Sequence, residues 1–141
     1  MATAMSPAGA VLWSKNTTYF ASTMAAVTAD GHVLLISEDK GAFLNKVEPA
    51  TGNIVGWSAH EEVHDGAPIN LEDTNVQAAA ITVDASGMAW IPSGHGVTMV
   101  TNEGNVTSCG IDAMNSIGSV SLPADGVLLQ LNIHGMLLAM A

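Results

Sequence analysis

Residues 81–91, with the sequence ITVDASGMAWI, decide the fold class of this chain. Two short apolar runs flank the turn-forming residues 84–87, whose final glycine supplies the positive φ that tight hairpins need. Helical periodicity is weak along the whole chain, whereas apolar runs interrupted by turn residues recur from end to end. Further hairpins are predicted in residues 27–36, 43–57, 97–109 and 119–131. The chain is therefore predicted to be all-β, an antiparallel sandwich or barrel-like domain of repeated hairpins.

A diffuse internal repeat underlies these hairpins. An apolar-Thr-x-Asp pattern occurs at residues 27–30 and again 54 positions later at residues 81–84, and a shorter version begins at Val120. The partner strands that begin at Phe43 and Val97 have the same separation of 54 positions. Three strand–turn–strand units are therefore predicted.

The domain organisation follows from where this pattern starts and where it is interrupted. Residues 1–24 are predicted to form an extended N-terminal arm, a candidate for a strand exchanged between subunits. Residues 25–141 are predicted to form a single all-β domain. Within it, residues 58–77 are acidic, contain a proline and have the weakest strand pattern, so they are expected to form a surface loop.

The hairpin at residues 81–91 resembles the strand–turn–strand repeats of NHL-type and gluconolactonase-like β-propellers. Those repeats commonly combine an apolar strand, an Asp-x-x-Gly turn, here residues 84–87, and a strand that carries an aromatic residue, here Trp90. Residues 97–106 resemble the outer hairpin of the same blade. The resemblance implies propeller-like hairpin geometry. Propellers contain about four to eight blades, so a closed propeller would need several copies of a chain with three such units.

The composition excludes several classes of protein. The 141 residues include 13 acidic residues, three Lys and no Arg, for a formal net charge of −10. A protein that binds nucleic acid through its phosphates needs clustered basic residues, so no nucleic-acid partner is expected. No run reaches the ~18 apolar residues that a membrane-spanning helix requires, and the single cysteine, Cys109, excludes an internal disulfide.

The low charge has two interpretations. Apolar residues make up 48% of the chain and charged residues only 11%, well under the ~25% that is usual for a soluble domain. A monomer with a surface of Ser, Thr and Asn is one explanation. The favoured explanation is that copies of the same chain cover apolar surface in an assembly.

The two termini are the candidate assembly elements. The first 29 residues contain no acid, so an acidic neighbouring subunit would not repel them. The C-terminal run is apolar and strand-like, and its free edge would recruit another chain unless it is covered. An arm that folds back on its own domain is the alternative. The predicted assembly residues are Val11, Leu12, Trp13, Tyr19 and Phe20 in the arm, and Met136, Leu137, Leu138 and Met140 in the C-terminal strand.

One motif points to zinc chemistry. His60, Glu61 and His64 form an H-E-x-x-H pattern, which on a helix would place both imidazoles on one face with the glutamate as general base. The residues around the motif argue against such a helix, because a strand-like run ends at Trp57 and the helix-breaking residues 65–68 follow directly. No cofactor is therefore expected, and His60 and His64 remain weak candidates as metal ligands.

Other residues suggest ligand contacts. Trp57, Trp90 and His95 are expected near loop ends, where aromatic rings could bind a carbohydrate. Asn16 and Asn105 each begin an N-glycosylation triplet, so a glycan is a candidate partner.

The favoured function is a non-enzymatic structural subunit that self-assembles, through strand addition and apolar interfaces, into a filament or a virus or phage particle. Its expected partners are copies of itself, and its expected location is an extracellular surface or a virion. A propeller-like module that binds carbohydrate is the second hypothesis, and a zinc-dependent hydrolase is the third.

Overall fold

The structure is a computed structural model, and it describes residues 2–15, 25–38, 42–57, 69–71, 80–93, 96–110, 119–124, 127–131 and 137–140. These residues contain strands and turns and no helix, so the all-β prediction is confirmed. In this part of the chain no helix is long and apolar enough to cross a membrane. The strands are β1 (Ala2–Met5), β2 (Val11–Lys15), β3 (Ala26–Val27), β4 (Val33–Glu38), β5 (Ala42–Val47), β6 (Ile54–Val55), β7 (Ile69–Asn70), β8 (Thr82–Val83), β9 (Ala89–Ser93), β10 (Gly96–Val100), β11 (Val106–Gly110), β12 (Ser119–Ala124), β13 (Val127–Leu131) and β14 (Leu137–Met140).

The described strands form four antiparallel sheets, and most strands pair with the strand that precedes or follows them in the chain. We call them the N-terminal hairpin (β1–β2), the first sheet (β3–β7), the second sheet (β8–β11) and the third sheet (β12–β14). In the first sheet β4 pairs along the whole of β5, so β6 and β7 share the opposite edge of β5, with β6 beside Lys46 and β7 beside Leu44. The second sheet has the simple order β8-β9-β10-β11.

The same five-residue turn closes four of the hairpins. The backbone N–H of the first residue donates to the carbonyl of the fifth, at 2.8–3.0 Å. The fourth residue is always glycine, and its N–H donates to the carbonyl of the first residue, at 2.9–3.0 Å. A side-chain oxygen of the first residue accepts the N–H of the fifth, at 3.0–3.3 Å. This side-chain cap explains why Ser, Thr and Asp stand first. The turns are residues 6–10, 28–32, 84–88 and 101–105.

The turns change the register of the predicted repeat. Thr28, rather than Asp30, occupies the position of Asp84, because both begin a five-residue turn. The matching residues are therefore 56 positions apart in the inner hairpins, not 54. The expected equivalence of Asp30 and Asp84 is wrong by two residues, since both share a Thr-x-Asp pattern but only Asp84 caps its own turn.

The sheets adjoin through their first strands. β3 contacts β8, and β8 contacts β12; the Thr82 hydroxyl donates a 2.7 Å hydrogen bond to the Val120 carbonyl across the second of these contacts. Hairpin signals do not specify which sheets become neighbours. Here the sheets lie side by side around β3, β8 and β12.

The main core lies between the first and second sheets, and a smaller one lies between the second and third. Val97 and Val120 form the smaller cluster, with Trp90 packed against it. Both clusters follow from the alternation of side chains along each strand. The main cluster contains Leu34, Ile36, Leu44, Trp57, Ile69, Leu71, Ile81, Ala89, Ile91 and Val100.

The N-terminus differs from the predicted extended arm. Residues 2–15 form a hairpin in which Ala2 pairs with Lys15 and Ala4 with Trp13, with a register irregularity after Ala4. A serine-capped turn allows the chain to reverse at residues 6–10, which the apolar composition of the segment did not reveal. Residues 16–24, including Tyr19 and Phe20, lie outside the described residues.

Candidate functional site

A polar cluster lies at one end of the first sheet, where the β3–β4 and β5–β6 turns meet. Asp30 Oδ2 lies 3.0 Å from Lys46 Nζ and 3.0 Å from His32 Nδ1. His32 Nε2 lies 3.7 Å from Glu48 Oε2. Thr28 adds a short hydrogen bond from its hydroxyl to Asp30 Oδ1. The cluster therefore links two turns that are separate in sequence.

Lys46 is the buried ionisable residue of this cluster. The residue is only 8% exposed, because it lies two positions after Leu44 on the core-facing side of β5. A buried ammonium group is costly without a partner of opposite charge. Asp30 supplies that charge, and the Trp57 ring adds a cation–π contact, with its centroid 5.4 Å from Nζ.

The cluster keeps Asp30 ionised. The hydrogen bond from Thr28 is the largest influence and lowers the pKa of the Asp30 carboxyl, and contacts with Lys46 and His32 lower it further. Partial burial raises the pKa, but by less than these interactions lower it. Asp30 therefore carries its negative charge throughout the neutral and mildly acidic range.

This geometry suits a structural link better than catalysis. A general base needs a nitrogen that can reach a substrate proton, but each His32 nitrogen faces a carboxylate. The Lys46 ammonium already occupies the position on Asp30 that a cation would take. Among the described residues, no group of three His, Cys, Asp or Glu side chains is arranged to hold a metal ion.

Asp84 organises the corresponding end of the second sheet. Its Oδ1 accepts hydrogen bonds from the backbone N–H groups of Ser86 and Met88, at 2.8 and 3.0 Å, and from the Ser86 hydroxyl, at 2.6 Å. Its Oδ2 accepts the Trp90 indole N–H at 2.9 Å. Burial raises the pKa of Asp84, but the hydrogen bonds from Ser86, Trp90 and Met88 together outweigh it and leave the pKa below its ordinary value.

Two tryptophans pack against glycines in the turns of neighbouring sheets. Trp13 of the N-terminal hairpin lies against Gly52 in the β5–β6 turn, so closely that a Cβ at Gly52 would approach Trp13 Cδ2 to 2.6 Å. The Trp13 indole also donates a 2.7 Å hydrogen bond to the Pro49 carbonyl. Trp57, which follows β6, lies against Gly104 in the β10–β11 turn, where a Cβ would be 2.7 Å from Trp57 Cβ. Each tryptophan thus packs on a turn of the sheet that follows its own.

These contacts change the roles expected for the aromatic residues. Trp57 is 5% exposed, so its ring cannot stack on a carbohydrate in this structure, and this part of the carbohydrate hypothesis is wrong. Trp90 is half-buried and bonded to Asp84. Trp13 contacts its own chain, which is the fold-back alternative for the N-terminus. His95, His60 and His64 lie outside the described residues.

The other predicted assembly residues lie in the N-terminal hairpin and in the C-terminal strand. Val11 is 60% exposed and Leu12 is 58% exposed. Leu137, Leu138 and Met140 belong to β14, which pairs with β13 and ends the described order of the third sheet, whereas Met136 lies outside the described residues.

Sequence reasoning missed the cluster around Lys46. One signal was available: Lys46 shares the face of β5 that Leu44 occupies, and a charged residue on an apolar face implies a buried partner. The identity of that partner was not available from the sequence, because Asp30 belongs to a different hairpin.

No protein-family model matches the chain, and no curated protein is similar to it. Several solved structures share its fold, and two of them illustrate the likeness. Virginiamycin B lyase from Staphylococcus aureus, a β-propeller enzyme, superposes with a TM-score of 0.63 at 15% sequence identity, over 97% of this chain and 47% of the lyase. A protein of unknown function from Bacteroides caccae superposes with a TM-score of 0.56 at 14% identity, over 95% of this chain and 51% of that protein. The chain spans about half the length of each structure, and the likeness supports a propeller-like all-β fold.

Proposed function

We propose that this chain is a self-assembling propeller-type subunit, in which a second copy supplies the sheets that complete the ring. The observation that carries the proposal is the exposed apolar surface of the N-terminal hairpin. Met5, Val11 and Leu12 are each 58–60% exposed there. Large apolar side chains that are exposed to solvent favour association with a partner.

The propeller-like fold is compatible with a second copy as that partner. The chain spans about half of each propeller-like structure that it matches, so a ring of that kind needs sheets beyond those of residues 1–141. A propeller encloses its central axis only when its sheets form a complete ring. Two copies joined end to end would supply that ring.

The charge distribution also supports contact between the ends. Residues 1–29 carry one Lys and no acid, and residues 113–141 carry one Asp, whereas residues 30–112 carry 12 of the 13 acids. Ends with so little charge can approach each other with little repulsion.

An end-to-end contact whose repetition does not close into a ring would give a different assembly. Heterologous contacts make rings when the rotation between subunits closes and filaments when it does not. A filament or a particle shell, at an extracellular surface or in a virion, is therefore the open form of the same proposal. Negative-stain microscopy distinguishes discrete rings from filaments and shells.

Multi-angle light scattering after size-exclusion chromatography tests the proposal. We expect the unmodified chain to elute as a dimer or larger assembly, and the double substitution Val11→Ser and Leu12→Ser to shift it toward the monomer. Val106→Ser is the matched control, since Val106 is also exposed (38%) but lies on the outer strand of the second sheet. A monomeric unmodified chain, or equal effects of both variants, would contradict the proposal.

A propeller enzyme or ligand-binding module is a second candidate function. The observation that favours it is the superposition of 97% of this chain on virginiamycin B lyase. Fold likeness is weak support for a shared activity, because one fold hosts many functions. Chromatography of virginiamycin B after incubation with the assembled protein is the direct test, and an unchanged substrate would rule out this activity.

A further inference from the structure

One N-glycosylation triplet lies in the described part of the chain and at its surface. Asn105, Val106 and Thr107 form the pattern Asn-x-Thr, and all three residues are exposed. Asn105 closes the β10–β11 turn, and the other two residues begin β11. A functional triplet of this kind is expected at the surface of an exported protein. The structure therefore meets a requirement that the sequence alone left open.

The turn fixes the backbone of Asn105 and leaves its side chain available. The Asn105 N–H donates to Thr101 Oγ1 at 3.3 Å, and the Asn105 carbonyl accepts the Thr101 N–H at 3.0 Å. Among the described residues, no hydrogen bond holds the Asn105 side-chain amide. Thr107 lies two positions further along the extended chain, so its side chain points to the same side of the hairpin. The amide and the hydroxyl that define the triplet thus share one exposed side.

The residue before the triplet carries the contact with the core. Gly104 is buried, and a Cβ placed on it would lie 2.7 Å from Trp57 Cβ. The β10–β11 turn therefore packs on the first sheet through Gly104, while Asn105 faces solvent. A large group attached to the Asn105 side chain would extend into water without disturbing this contact.

The strand that follows Asn105 is an edge without the usual protection. β11 pairs with β10 and ends the described order of the second sheet. Natural edge strands are commonly protected from other chains by a charged residue or a proline, but β11 (Val106–Gly110) contains neither. A glycan is bulky and solubilising. A glycan on Asn105 would therefore cover the beginning of this edge in a chain of which only 11% of the residues are charged.

An acidic residue in the same turn distinguishes this triplet from the other one. Glu103 is exposed and lies two positions before Asn105. It extends the triplet to the acidic-x-Asn-x-Thr pentapeptide that bacterial oligosaccharyltransferases accept. The triplet that begins at Asn16 has Ser14 at the corresponding position. Of the two triplets, the one at Asn105 therefore has the more complete acceptor pattern.

We propose that Asn105 is an acceptor for an N-linked glycan, with a polyprenyl-diphosphate-linked oligosaccharide as the donor. A bond forms between Asn105 Nδ2 and the anomeric carbon of the first sugar, and the bond from that carbon to the diphosphate oxygen breaks. The lipid diphosphate leaves with the electron pair, and the amide nitrogen loses one proton. The modification is independent of self-assembly, because the exposed apolar residues that carry that proposal lie on the N-terminal hairpin.

A purified bacterial oligosaccharyltransferase tests the site on the folded full chain. After incubation with the enzyme and its lipid-linked oligosaccharide, we expect the intact mass to increase by one oligosaccharide, with peptide mapping locating it at Asn105. Asn105→Gln and Thr107→Val should abolish the increase, whereas Thr107→Ser should retain it. Asn102→Gln is the matched control, since Asn102 is exposed in the same turn but begins no triplet, and it should be modified like the unmodified sequence.

A synthetic peptide of residues 101–109 separates the pattern from its placement in the fold. Modification of both the peptide and the folded chain supports the site. A folded chain whose mass does not change would overturn the proposal, and modification of the peptide alone would show that the fold hides the triplet. A mass increase that persists in Asn105→Gln would overturn the assignment to this residue.

Discussion

Lys46 and Asp30 hold together two turns of the first sheet, and their burial makes the pair sensitive to substitution. The Lys46 side chain is 10% exposed, whereas the Asp30 side chain is 41% exposed. The ammonium group therefore depends on the carboxylate, while the carboxylate retains contact with water. Removal of the carboxylate leaves a buried cation without compensation.

The first prediction concerns Asp30→Asn. We expect the free energy of unfolding at neutral pH to fall by about 1–2 kcal/mol, because Lys46 loses its partner and solvent already screens part of the original interaction. Urea denaturation measures this change. Glu103→Gln is the control, since Glu103 is exposed and outside the cluster; a glutamine oxygen can still accept the hydrogen bond from Thr101, so this substitution should lower the urea midpoint less than Asp30→Asn does.

Acid should destabilise the unmodified protein through Asp30 and Asp84. Both carboxyl groups have a pKa below 3.8, the ordinary value for Asp, in the folded chain. Their stabilising contribution is therefore complete above about pH 5 and is lost as the pH falls through their folded pKa values. Urea midpoints measured between about pH 6 and about pH 2 should fall less steeply in Asp30→Asn; parallel curves would show that Asp30 has no such role.

At the scale of elements, the described contacts between the N-terminal hairpin and the first sheet lie at one turn. The Trp13 ring on Gly52, the indole hydrogen bond to Pro49 and the Lys15 bond to Asn53 all lie at the β5–β6 turn. In the part of the chain that the structure describes, the attachment of the hairpin therefore depends on this turn and on the absence of a side chain from Gly52.

Gly52→Ala should detach the hairpin. A Cβ there would overlap the Trp13 ring at 2.6 Å, and overpacking of this kind costs about 1–3 kcal/mol in addition to strain at a φ of 70°. Gly31→Ala carries the strain without the overlap. We expect Gly52→Ala to lower the urea midpoint more and to shift the Trp13 fluorescence toward that of a solvated indole; equal midpoints and unchanged emission would refute the contact.

For the whole molecule, net charge and apolar ends act in opposite directions. Each copy carries a formal charge of −10, so copies repel one another at low ionic strength. The N-terminal hairpin, by contrast, offers exposed apolar side chains and little charge. Association should therefore depend on how well salt screens the acidic middle of the chain.

We expect the dimer dissociation constant to decrease by about 3–10-fold between about 20 mM and about 500 mM NaCl, because screening removes repulsion and leaves apolar contact intact. Sedimentation equilibrium at several salt concentrations measures this dependence. Weaker association at high salt would instead indicate ion pairs across the interface, contrary to an apolar end-to-end contact.

Local sequence signals predicted the elements better than the site. The hairpin at residues 81–91 is present as β8 and β9, with the turn where Gly87 placed it. The sequence pattern did not reveal the Thr28 cap or the register of the repeat. Ser, Thr and Asp all cap the five-residue turn, so a search for Asp alone finds the turn that Asp84 caps and misses the one that Thr28 caps. The sequence pattern could have marked Lys46 as an unusual core residue, but it could not have identified Asp30 as its partner.

By itself, the sequence determined the all-β class, the short strands and their turns, because these depend on contacts between residues a few positions apart. Only the tertiary structure decided that the first, second and third sheets lie side by side around β3, β8 and β12. It also decided that Trp57 is buried against the β10–β11 turn and that Trp13 packs on the β5–β6 turn of its own chain. These features depend on contacts between residues tens of positions apart, which alternation and turn chemistry do not encode.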